Sequence, residues 1–291
     1  MTNSQNRTIW ILILSSSLIL AITMGVRQSL GLFIAPINSS TSLDIISISL
    51  ALAIGQFIWG LTQPIFGAIA DKKGSFGVLV FGALLMFFGL ILTPFLTSEF
   101  SIILTLGLLV AAGAGAGSFS ILIGATAKNL PNEKRSFAGG FINAGGSFGQ
   151  FIFAPLAQAI INGFGWIYSM IALAFSTLLT IPLAKILSSK SKKEETNLTN
   201  VIENDIKLKE QLKVALKDKS YLYLNLGFFT CGFHVAFLVT HLPHEVALCG
   251  HSANVSAYSL ALIGLFNIFG SLYAGYLGTK YKMKYILAFI Y

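Results

Sequence analysis

Read along the chain, apolar residues come in long unbroken runs separated by short polar stretches. The runs are Ile9–Pro36, Ile45–Ala70, Phe76–Leu96, Ser101–Ala127, Phe137–Ile161, Trp166–Leu187, Tyr221–Leu242 and Asn254–Gly278. A helix crosses the hydrocarbon of a bilayer with about 20 mainly apolar residues, and each run meets that length. Lipid leaves no water to satisfy the backbone, so a spanning segment must be a helix or a strand of a closed barrel. Continuous runs, as opposed to alternating segments of about ten residues, decide for helices. The pattern predicts an all-α membrane protein with eight spans, and an apolar run that begins after Lys284 predicts the start of a ninth.

One long polar segment, Ser188–Lys219, interrupts the series. Its mixed charge and fair helix formers predict a connector, partly helical along the membrane surface, with no chemistry of its own. The chain thus divides into a six-helix bundle over 1–187, a linker over 188–219 and a partial second bundle over 220–291.

Composition agrees: 55% of residues are hydrophobic and 10% charged, where a soluble domain carries roughly 25% charged residues. The net charge of +8 would suit a nucleic-acid partner if the basic residues formed a patch. They do not. Arg7, Lys72, Lys73, Lys128, Lys134, Arg135, the series from Lys185 to Lys219, and Lys280, Lys282 and Lys284 fall at the N-terminus or at alternate turns. The intervening turns carry Asp44, Glu99 and Glu245. The positive-inside rule accounts for this asymmetry and places the N-terminus and the basic loops in the cytoplasm, in a multi-pass protein of the cytoplasmic (inner) membrane. No nucleic-acid partner is expected.

The two parts of the chain repeat one another. Gly25-Val26-Arg27 and Pro36 of the first span correspond to Gly232-Phe233-His234 and Pro243 of the seventh, each pair 207 positions apart. The polar hinge Gly67-Ala68-Ile69-Ala70-Asp71-Lys72-Lys73-Gly74 corresponds to the stretch from Gly275 to Lys282, and Ser-Leu-Ala-Leu occurs at Ser49 and again at Ser259. Parallel repeats of six spans are one architecture of secondary transporters, with the substrate site near the midplane between the halves.

Within the spans the candidate chemistry is sparse. Arg27 is the one Lys or Arg placed away from the span ends. A guanidinium in the hydrocarbon costs about 2.5–3.5 kcal/mol on insertion scales, so its presence points to a polar cavity. With no acid in the neighbouring spans, it is a receptor for a small carboxylate, which it grips by two parallel hydrogen bonds. Snorkelling toward the interface is the alternative. His234, at the equivalent position of the second half, is the candidate proton carrier, the alternative being a neutral ring bonded to a backbone carbonyl. Asn143 and Asn267 are candidates to line the same cavity, or else they bond neighbouring helices.

The run Gly113–Ser118 would suggest a phosphate loop in a soluble protein. Without a following Lys-Ser or Lys-Thr it is a surface for close helix packing. Cys231 and Cys249 lack metal-ligand spacing, and His241, His244 and His251 straddle a span end and a loop, so no metal or other cofactor is expected. No hydrolytic or redox constellation is present, and the chain is not expected to be an enzyme.

These residues resemble the major facilitator superfamily. Its signature loop between the second and third helices, G-x-L-a-D-r-x-G-r-k, is matched by Gly67, Asp71, Lys72 and Gly74, with Ser75 and Phe76 in place of the closing basic pair. A weaker second copy runs through Gly275, Leu277 and Lys280, with Thr279 where the acid would be. MGVRQSLGLFIAPI in the first span and GFHVAFLVTHLP in the seventh resemble the branch of monocarboxylate transporters and oxalate/formate antiporters. The resemblance implies twelve spans, of which this chain would hold the first eight and the start of the ninth, a gating role for Gly67, Asp71, Lys72 and Gly74, and a monomer when complete. It also marks departures: an Asp/Arg pair of the eighth span is replaced by Asn267, and the span-four arginine of antiporter-type members is missing.

The expected function is secondary active transport of a small, monocarboxylate-like organic anion by alternating access, with a proton as the candidate co-substrate. The alternatives are a non-transporting short product, a membrane sensor for the same ligand, and an efflux carrier of another small solute.

Overall fold

The computed structural model describes residues 3–290 except 97, 129 and 196–213. Among the described residues there is no strand, and eight helical segments are long and apolar enough to cross a membrane. The first crosses as α1 (Asn3–Gln28), a 3₁₀ turn at Leu30–Phe33 and α2 (Ile34–Ser40). The second is α3 (Ile45–Lys73) and the third α4 (Ser75–Leu92). The fourth is assembled from α5 (Glu99–Ile102), a π-helical stretch at Ile103–Val110, α6 (Ala111–Ala116) and α7 (Phe119–Ala127). The fifth is α8 (Asn132–Phe164), and the sixth is α9 (Trp166–Leu178) with α10 (Thr180–Glu195). After the connector come α11 (Lys219–Leu248), α12 (Ala253–Lys280) and α13 (Met283–Ile290). Most of the linker expected over 188–219 lies outside the described residues.

Local chemistry explains the breaks. At the end of α1 the Ser29 hydroxyl donates to the Gly25 carbonyl (2.8 Å), competing with the helix ladder. Pro36 sits in the first turn of α2, where its missing N–H is tolerated. The fourth span, expected as one helix, is interrupted at Gly117-Ser118. There the Thr23 hydroxyl of α1 donates to the Gly117 carbonyl (3.1 Å), and a Cβ on Gly117 would stand 2.6 Å from Thr23 Cγ2. At the corner between α3 and α4, Gly74 adopts φ +86°, a conformation that other residues rarely take.

Two expected boundaries change. The sixth span ends at Ser188, one residue past Leu187, while its helix continues into the polar connector as far as Glu195. The seventh does not stop at Leu242: it runs through Pro243 to Leu248, so His244 and Glu245 lie on the helix, and the turn that follows holds Gly250 and His251. Pro243 removes one hydrogen bond, to the carbonyl four residues back, without ending the helix, because the rest of the ladder continues to Leu248.

Small residues let the helices approach. α12 packs along α8 from end to end. Asn162 Nδ2 donates to Asn254 Oδ1 (2.8 Å) at one end, and Ser136 Oγ donates to the Gly275 carbonyl (3.2 Å) at the other. Midway a Cβ on Gly264 would lie 2.7 Å from the Ser147 carbonyl oxygen. In lipid, where burial of apolar surface drives little association, contacts of this kind hold the helices together. α11 is peripheral: Val239 and Thr240 are its buried residues, and most of its length is exposed.

At the end opposite the basic turns, Asp44 caps α3 by accepting from the Ser47 N–H (2.8 Å), while the Ser47 hydroxyl donates to Glu99 Oε1 (2.6 Å). Ser47, by its hydroxyl and then its backbone N–H, holds the Asp44 carboxyl below its ordinary range. The hydroxyl has one proton and directs it to Glu99, so the backbone N–H is the constant partner. A lowered carboxyl pKa means that the cap stabilises above the unfolded value of about 4 and is lost as pH falls through the folded one. The melting-temperature difference between the parent chain and Asp44→Ala should therefore be present at pH 7 and shrink steadily below about pH 4.

Candidate functional site

Arg27 is the penultimate residue of α1, so it stands at a helix C-terminus inside the membrane-spanning region. The unsatisfied carbonyls of such an end carry partial negative charge and favour a cation. The rest of its surroundings are neutral. Its Nη2 donates to Gln56 Oε1, and its guanidinium carbon lies 3.9 Å above the ring centroid of Trp59. Gln56 and Trp59 are three residues apart on α3 and thus share one face. The ion pair found among the described residues, Lys128–Asp71, is elsewhere, and no carboxylate pairs with Arg27.

The space beside the guanidinium is small and otherwise mostly apolar. It measures about 20 Å³ and is lined by Arg27, Gln56, Leu52, Val110, Val239 and Thr240 among others, enough for roughly one water molecule. Its roof is the crossing of the 3₁₀ turn with α11. A Cβ on Gly31 would fall on the Val239 carbonyl oxygen, which is the group that Pro243 leaves without its usual N–H partner. A shift of 207 positions carries Gly31 to Leu238, next to Val239. Equivalent points of the first and seventh spans therefore meet, as an approximate two-fold along the membrane normal requires.

The other expected site residues are not gathered at Arg27. His234 is exposed on α11, about 7–9 Å along the helix axis from Val239 and Thr240. Its Nδ1 bonds the Thr230 carbonyl at 2.8 Å. Val239 and Thr240, and not His234, are the α11 residues at the guanidinium cavity. Asn143 Nδ2 donates to Ser271 Oγ (2.8 Å) in the α8–α12 seam, with Asn267 one turn earlier on α12; both asparagines are exposed. Among the described residues no three His, Cys, Asp or Glu side chains cluster closely enough to hold a metal.

The hinge residues stand at the basic end. Asp71 Oδ1 lies 3.6 Å from Lys128 Nζ, joining the α3–α4 corner to the end of α7. Both groups are largely exposed, so the pair adds at most about 1 kcal/mol of stability. Lys72 is exposed, and a Cβ on Gly67 would meet nothing within 4 Å, which leaves that face of α3 uncovered among the described residues.

Gln56, Trp59, Gly31 and Thr240 are the site residues that sequence reasoning did not connect to Arg27. A glutamine three residues from a tryptophan in an apolar run is a visible signal. Its depth relative to Arg27 depends on how α1 packs on α3, which no linear pattern contains.

The Major Facilitator Superfamily profile matches residues 16–291, and the chain belongs to that family: it is an all-helical, multi-pass membrane protein. Among relatives, monocarboxylate transporter 13 of Rattus norvegicus is 25% identical over 276 residues, 92% of this chain and 61% of its own. The oxalate:formate antiporter of Oxalobacter formigenes is 24% identical over 263 residues, 89% of this chain and 60% of its own. Monocarboxylate transporter 12 of Homo sapiens is 22% identical over 302 residues, 94% of this chain and 58% of its own. The chain thus spans about three-fifths of the length of these relatives.

Proposed function

We propose that this chain serves secondary active transport of a small organic anion of the monocarboxylate kind, with Arg27 as the anion receptor. The carrying observation is a guanidinium in the spanning region whose partners, Gln56 and Trp59, are both neutral. A cation left uncompensated at that depth is costly, and an incoming carboxylate supplies the missing charge through charge-assisted hydrogen bonds. Relatives named for monocarboxylate and oxalate:formate transport support the same ligand class.

In this reading the halves rock about the crossing of the first and seventh spans, and the small Arg27 cavity belongs to a closed arrangement. Asn143 and Asn267 form a polar wall on the α8–α12 seam. Asp71, with Gly67, Lys72 and Gly74, gates the basic end, which faces the cytoplasm by the positive-inside rule. His234 takes up the accompanying proton: its Nδ1 is engaged by Thr230 O, and its exposed position leaves Nε2 open.

Membrane vesicles carrying the chain and loaded with labelled lactate, formate or oxalate test this directly. Flux should be accelerated by an inwardly acid pH gradient in the parent chain, and His234→Gln should remove that acceleration while retaining anion binding. Binding with no flux under any gradient would instead favour a membrane sensor, the second reading that an arginine receptor allows.

A further inference from the structure

The contact between Arg27 and Gln56 carries the argument one step beyond the proposed anion site, on which it rests. A guanidinium binds a carboxylate along its edge, where paired N–H groups point outward in the ligand plane. Its face offers no N–H at all. At Arg27 one face is covered by the Trp59 ring, 3.9 Å away, so approach is confined to the edge. Nη2 belongs to both paired edges of the guanidinium, and one of its N–H groups is already in use, because Gln56 Oε1 accepts from it. The space beside the guanidinium, about 20 Å³, is tight for a carboxylate while the Gln56 carboxamide stays in place.

A carboxylate that takes the Nη2 N–H now held by Gln56 displaces the carboxamide. We infer that Gln56 is an internal stand-in for substrate: its amide oxygen holds the guanidinium edge when no anion is bound and yields that edge to a carboxylate. The exchange is favourable because a neutral acceptor gives way to a charged one, and hydrogen bonds with an ionised partner are roughly twice as strong. A glutamate in the same place would not yield, since it would already supply the charge.

Trp59 contributes the platform that fixes the guanidinium plane, and it bears a buried indole N–H with no acceptor among the described residues. Such a group is destabilising until an acceptor arrives, and it lies within one ring's width of the guanidinium carbon. The lining contains one cationic side chain and is otherwise mainly aliphatic. That combination fits a short monocarboxylate with an apolar tail better than a dianion, whose second charge would meet Leu52, Leu106 and Val110.

The protein has three tryptophans, so Trp10→Phe with Trp166→Phe leaves Trp59 as the sole indole reporter beneath Arg27. Its fluorescence would be titrated with lactate, formate and oxalate in the purified full chain. Lactate and formate should shift the emission saturably, and oxalate should do so at least ten-fold more weakly.

Gln56→Ala should tighten the apparent Kd for lactate about five-fold, the effect of removing one neutral competing hydrogen bond. Gln56→Glu should weaken it at least ten-fold. Gln56→Met, closer in volume, keeps the test valid where the alanine variant fails to fold, and should tighten binding in the same sense. Weaker lactate binding in both Gln56→Ala and Gln56→Met, with Arg27→Gln abolishing it, would overturn the stand-in and leave the anion site intact. No response to any of the three anions in the parent chain, or an unchanged one in Arg27→Gln, would overturn the anion site itself and the stand-in with it.

Discussion

Arg27→Gln should lower the affinity for small carboxylates about 100-fold and stop their flux, while leaving the stability of the protein close to that of the parent. Loss of binding follows from removing two charge-assisted hydrogen bonds, each about 1.5–3 kcal/mol. The stability result discriminates between explanations. Keeping an arginine in the hydrocarbon costs about 2.5–3.5 kcal/mol, which the variant recovers. Against this stand the stacking on Trp59, about 0.5–2 kcal/mol, the favourable placement at a helix C-terminus, about 0.3–1 kcal/mol, and the charge-assisted hydrogen bond to Gln56, about 1.5–3 kcal/mol and replaced in the variant by a weaker neutral one.

The contributions nearly cancel, so the melting temperature should change little. A guanidinium retained for structural reasons would give the opposite result, a lower melting temperature with anion binding unchanged. Arg27→Lys adds resolution: an ammonium keeps the charge but has neither the planar fork nor the flat face, so it should lose about ten-fold in affinity and part of the Trp59 contact. Equilibrium binding of labelled lactate, with thermal unfolding in the same detergent, measures both quantities.

Among the glycines whose surroundings are described, Gly149→Ala should be the most disruptive addition of a methyl group. A Cβ there falls on the carbonyl oxygen of Ala21, and α1 and α8 are held by further contacts of the same kind, among them a Cβ on Gly25 that would meet Phe153 Cδ2 at 2.7 Å. Backbone cannot rotate aside as a side chain does, so the helices must separate. Overpacking of this kind costs about 1–3 kcal/mol. The displacement also reaches the site, because Ala21 and Arg27 are six residues apart on one helix, about 9 Å along its axis. Thermal unfolding should show a lower midpoint, and lactate affinity should fall with it. Gly60→Ala is the control: a Cβ there meets nothing within 4 Å, so it should be neutral or slightly stabilising through helix propensity, worth up to about 1 kcal/mol. Equal effects of the two substitutions would show that the α1–α8 seam is looser than these contacts require.

Membrane helices are legible in a linear sequence because one physical constraint dominates. Every residue of a span from one face to the other must suit hydrocarbon, and the length of the run is set by the bilayer. Hence the eight spans agree with the eight helical segments found, to within a few residues at most ends. The exceptions are instructive. The seventh apolar run ends at Leu242, yet α11 runs through Pro243, since a proline removes only one ladder bond. The fourth span reads as one helix with a run of tiny residues but is broken at Gly117-Ser118, where Thr23 from another helix takes the carbonyl. That break depends on a neighbour that hydropathy does not register.

The proposed anion site divides along the same line. That Arg27 is exceptional, that the chain repeats itself at an interval of 207 positions, and that Gly74 closes a hinge are all properties of residue order and follow from lipid's intolerance of charge and from glycine's freedom at φ +86°. That Gln56 and Trp59 hold the guanidinium, that Thr240 stands where His234 was expected, and that Gly31 meets a carbonyl freed by Pro243 were decided by tertiary packing alone. The reason is geometric: periodicity says which face of a helix a residue occupies, but only the approach of two helices at their smallest residues sets which faces meet, and at what depth.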